Sequence, residues 1–151
     1  MPGFIMPGES DISGIAHVIQ LAIAPVFLLT GIAALIGVMA NRLARVIDRA
    51  REIEQRLDQL EGVQAEAAHA QLAVLAERGR LASWAINFCT AAALLICTDI
   101  VTLFVDAFVG PQLRWLVAAL FILTMIALIG GLISFLREVY LATDTLRIGR
   151  K

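Results

Sequence analysis

The sequence predicts an all-α membrane protein with three transmembrane helices, the first two of which continue out of the bilayer as a cytoplasmic antiparallel helical hairpin. Three observations carry that prediction. The 151 residues are 60% hydrophobic and 17% charged, with a mean hydropathy of +0.84, whereas soluble domains run at roughly 45–50% apolar and about 25% charged. The charges are segregated, seven of the eleven arginines lying in the block 41–80. One long apolar run precedes that block and two follow it. Lys and Arg density in short loops marks the cytoplasmic face, so the block orients every segment around it: N-terminus outside, C-terminus inside, in a bacterial inner membrane.

The length allows a single membrane domain, and three short-looped helices are too few to enclose a cavity alone. Any transport function would therefore require a homo-oligomer. The net charge of −1 offers nothing to a nucleic acid. The expected partners are the lipid bilayer, further copies of the chain, and a cytoplasmic protein bound through 41–80.

In chain order, 1–14 read as an outer tail, irregular over 1–11, with Pro2 and Pro7 and no Lys or Arg. The tail lacks the positive n-region of a signal peptide and the following run is too long for an h-region, so it is expected to be retained. The first span, 15–40, supplies about twenty uncharged residues, enough at about 1.5 Å each to cross a core of about 30 Å. Pro25 lies about two turns in from its outer end, where its missing N–H reads as a packing kink or, alternatively, a gating hinge.

Ile36, Met39, Leu43, Val46, Ala50, Ile53, Leu57 and Leu60 then step by threes and fours without a break. After Gly62, Ala65, Ala68, Leu72, Leu75, Gly79 and Ala82 resume the rhythm, so the block reads as a coiled-coil hairpin turning at the glycine. Arg42, Arg45 and Arg49 are expected to face anionic headgroups, and Glu52 with Arg56 makes an i,i+4 pair.

The second span, 81–109, has Trp84 as its inner interfacial anchor and closes on Gly110-Pro111-Gln112. The third, 113–136, opens with Arg114 and Trp115 and ends at Arg137, with Tyr140 just beyond. The tail 137–151 adds Arg147, Arg150 and Lys151 on the cytoplasmic side.

At about 100° per residue, Asn87, Thr98, Asp99, Thr102 and Asp106 share an arc of about 120° on the second span. A charged side chain at the bilayer centre costs about 2.5–3.5 kcal/mol on insertion scales, which makes this face the candidate ion pathway. Several copies would place Asp99, Thr98 and Thr102 around an axis as a cation-attracting ring. The structural alternatives are a pair between Asp106 and Arg114, and a threonine hydrogen bond to Asp99. Gly31 and Gly37 on the first span and Gly130 and Gly131 on the third would allow close helix approach.

Nothing suggests catalysis. His17 and His69 are expected on opposite sides of the bilayer. There is no Cys/His metal spacing, phosphate-cradling glycine loop or nucleophile elbow, and neither metal nor cofactor is expected. Cys89 and Cys97 stand eight residues apart in one helix, about 12 Å by helical rise, which is too far for a disulfide.

The run Ile23-Ala-Pro-Val-Phe-Leu-Leu through Ala40-Asn-Arg-Leu-Ala-Arg-Val-Ile-Asp-Arg-Ala, with the later Leu136-Arg-Glu-Val-Tyr-Leu-Ala, resembles the bacterial DUF2721 family. Asn41, Arg42 and Glu138 are matching positions. The resemblance implies a small three-span inner-membrane protein and brings no catalytic or binding residues with it. The leading functional expectation is a homo-oligomeric cation channel lined by the second span. The alternative is a non-conducting scaffold or accessory subunit that binds a partner through its hairpin.

Overall fold

The structure, a computed structural model, describes residues 9–109 and 113–148. Within them the chain forms three helices, α1 (Glu9–Leu57), α2 (Val63–Val109) and α3 (Arg114–Ile148). Each is long and apolar enough to cross a membrane. The turn 110–112, the stretch 1–8, Arg150 and Lys151 lie outside the described residues.

Two boundaries differ from expectation. α1 begins at Glu9, within the expected outer tail. α3 runs on to Ile148, twelve residues past the end of its apolar run at 136. Between 137 and 148 there is neither Gly nor Pro to stop it. The end of a hydrophobic segment marks where the solvent changes, and a helix stops only where its backbone is interrupted. α1 likewise passes through Pro25 unbroken.

The α1–α2 link is short. Gln59 and Leu60 donate to the carbonyls of Arg56 and Leu57, both at 3.1 Å. Gly62 has φ of +58°, a left-handed conformation that glycine adopts without the steric penalty of a Cβ. Its carbonyl accepts from Glu66 N at 3.2 Å and starts α2.

α2 is the central element. It packs against both α1 and α3, while α1 and α3 barely approach each other along their backbones. Its buried seam is Ala82, Ala85, Cys89, Ala92 and Ile96, in steps of three and four, set against Ile32 and Met39 of α1. Small residues dominate that seam, so the helices can pack closely. A Cβ placed at Gly131 of α3 would lie 2.8 Å from Cys89 Sγ and 3.3 Å from the Ala85 carbonyl oxygen. The same stripe continues beyond the apolar segments: Val46, Ala68 and Leu75 are buried, the other stripe positions of 41–80 are half-buried, and Gly79 packs on Leu43 and Val46.

Only 11–28% of each helix's most apolar segment is covered within the chain. Phe27, Leu94, Phe108 and Ile122 are among the large side chains left exposed. In water that surface would drive aggregation, whereas in lipid it is matched to its solvent.

Candidate functional site at the arginine-rich end of the bundle

Where the three apolar runs end, one residue from each helix converges. Glu138 of α3 is 1% exposed. Its Oε1 accepts hydrogen bonds from Arg78 Nε at 3.2 Å and Nη2 at 3.0 Å. Its Oε2 lies 3.0 Å from Arg42 Nη2 of α1, an ion pair without hydrogen-bond alignment. The Arg42 guanidinium also sits 5.2 Å from the centroid of the Phe135 ring, one turn back on α3, a cation–π contact that needs no further donor. Two arginines on a single carboxylate leave the cluster with an excess positive charge, and both arginines remain partly exposed, at 26% and 21%.

The arginines expected to face headgroups thus divide. Arg42 turns inward, because a buried carboxylate must be paired and Arg42 is the group at its depth on α1. Arg45 stays exposed, and Arg49 contacts Glu52 at 2.6 Å. Glu52 also takes the expected i,i+4 pair with Arg56 at 2.9 Å. Arg78 was not singled out in the sequence. The available signal was that Glu138 is the lone acid between the third span and Asp144, at the depth where the hairpin carries its arginines.

The five polar residues of α2 do not share one surface. Asn87 and Thr98 are exposed, Asp99 and Thr102 are buried, and Asp106 is half-buried. An arc of about 120° is wide enough to reach from a buried seam to an open face, and Asp99 continues the seam of Ala92 and Ile96. Thr98 donates to the Leu94 carbonyl at 2.9 Å and Thr102 to the Thr98 carbonyl at 2.8 Å, so each hydroxyl proton is used within the helix. Asp106 Oδ1 accepts from the Leu113 backbone N at 2.9 Å. Its role is to tie down the start of α3, where N–H groups lack partners, and this contact takes the place of the expected pair with Arg114. Asp99 is 1% exposed, and its Oδ1 has no hydrogen-bond partner, so the expected threonine bond is missing at that atom. Pro25 is buried within α1.

Of the glycines, Gly131 and Gly130 are used inside the chain, against Cys89 and Phe88, while Gly31 and Gly37 meet nothing within 4 Å. Among the described residues no group of three or more His, Cys, Asp or Glu side chains could hold a metal ion.

Three apolar helices with most of their charges at one end are the architecture of a multi-pass α-helical membrane protein. The chain belongs to the DUF2721 family, described as "protein of unknown function", whose model matches residues 22–148 and so takes in Arg42, Arg78, Asp99 and Glu138. No curated protein and no solved structure matches the chain.

Proposed function

We propose that this protein is a non-conducting membrane scaffold or accessory subunit that presents its helical hairpin to a partner protein on the cytoplasmic side. The observation that carries this proposal is the continuation of α1 and α2 past Arg42 and Arg78 as a paired extension, packed through Val46, Ala68 and Leu75. At about 1.5 Å per residue, 42–57 reach about 22 Å beyond the apolar edge. Near the tip an open groove of about 350 Å³ is lined by residues of both helices, among them Arg49, Glu52 and Arg56 of α1 and Ala67, Ala68 and Gln71 of α2. A groove that mixes small apolar residues with long polar ones suits a partner helix.

A photo-crosslinking residue at Gln64 tests the idea directly in cells. The scaffold role predicts a discrete protein adduct there and none from Phe27 in the apolar segment, with the Gln64 adduct abolished by Arg56→Glu. Lack of any protein adduct at the tip would sink it.

The buried carboxyl of Asp99, whose Oδ1 has no hydrogen-bond partner, favours a second reading, ion movement along α2. Against an acidic ring between copies stands its position inside a single chain. Flux across liposomes containing wild-type or Asp99→Asn protein separates the two readings. Native mass spectrometry in nanodiscs adds the subunit count, because a central pore needs a ring of about four or more chains. No flux from the wild type, or a monomer or dimer, removes the channel.

A further inference from the structure

We propose that Arg42 and Arg78, flanked by Arg45 and Arg137, form a binding site for the phosphodiester headgroup of an anionic lipid. Each guanidinium has donors to spare. A guanidinium carries five N–H groups, and Glu138 takes two from Arg78 and faces one from Arg42. Among the described residues no further acceptor is shown on either fork, and both arginines reach solvent. Arg45 and Arg137 are exposed beside them, one turn along α1 and one residue before Glu138. The four arginines and Glu138 together carry a formal charge of +3.

Depth selects the occupant. The first charged residue after the apolar run of α1 is Arg42, the charged residue nearest the start of the α2 run is Arg80, and the α3 run ends at Leu136. Glu138 reaches both Arg42 and Arg78, which brings the polar ends of the three runs within about a side chain's length of one level. The lipid phosphate layer occupies that level when the apolar runs fill the hydrocarbon core, and exposed Trp84 and Tyr140 bracket it as interfacial aromatics do. Planar guanidinium forks match phosphate oxygens two at a time, so the site is chemically a phosphate clamp as well as a region of positive potential. Glu138 acts as an internal competitor: it holds the forks in place and cancels part of their charge.

That competition gives the experiment opposite signs. Detergent-purified protein is mixed with equal amounts of phosphatidylglycerol and phosphatidylcholine, and retained lipid is counted by native mass spectrometry. The wild type is expected to keep phosphatidylglycerol preferentially. The surface pair Arg45→Gln with Arg137→Gln leaves the cluster around Glu138 intact and should lower that preference about fivefold per arginine removed. Glu138→Gln frees one charge and should raise it about fivefold. Absence of preference in the wild type overturns the proposal, as does a surface pair indistinguishable from it. Displacement of the retained lipid by inorganic phosphate would also overturn it, in favour of a soluble anion.

Discussion

Replacing Glu138 by Gln tests the convergence of the three helices most sharply. Hydrogen bonds to charged groups are worth about 1.5–3 kcal/mol, against about 0.5–1.5 kcal/mol for neutral ones, so neutralising the acceptor weakens each by about 1 kcal/mol. Oε1 holds two such bonds and Oε2 one ion pair, which sets an upper estimate of about 3 kcal/mol; the partial exposure of both arginines lowers it to about 2 kcal/mol. The loss falls unevenly. The amide oxygen can keep Arg78, which leaves the amide NH2 facing Arg42, donor against donor. Arg42→Gln added to Glu138→Gln should therefore cost about 1 kcal/mol less than Arg42→Gln alone. Unfolding in mild detergent, followed by far-ultraviolet circular dichroism, measures all four proteins. Strict additivity, or a Glu138→Gln protein within about 0.5 kcal/mol of wild type, would refute the reasoning.

Two glycines should respond to alanine with opposite signs. Gly131→Ala would put a Cβ 2.8 Å from Cys89 Sγ and should cost about 1–3 kcal/mol in the same unfolding assay. Gly79→Ala meets Leu43 and Val46 at 3.9 Å, ordinary van der Waals contact, and should gain about 0.5–1 kcal/mol from helix propensity. Cys97 is exposed and Cys89 buried, so N-ethylmaleimide should add one label to the folded protein in detergent and two after denaturation, as counted by intact mass.

Much of this architecture was legible because it depends on periodicity and composition. The threes and fours through Met39, Val46, Ala68 and Leu75 announce their own seam, and Gly62 sits where a backbone must turn left-handed. The cluster around Glu138 was harder to read. It joins residues sixty and ninety-six positions apart, and no local pattern encodes which arginine reaches across. Arg42 looked like its neighbour Arg45 in the sequence, and only the third helix distinguishes them. The five polar residues of α2 divide for a geometric reason: an arc drawn on a helical wheel records relative direction and is silent on where the neighbouring helices begin to cover it. Asp99 belongs to the covered part and Thr98, one residue earlier, to the open part.

α1 and α3 each pack mainly on α2, and the ion pair of Arg42 with Glu138 joins them directly. This has a consequence for biogenesis. A chain emerging from the ribosome builds α1 and α2 first, and their seam can close before α3 exists. At that stage Arg42 and Arg78 have no Glu138 to meet. Arrival of the last helix supplies the missing carboxylate, so a truncated or mis-inserted product would display two unmatched guanidinium groups where a finished one displays a closed cluster.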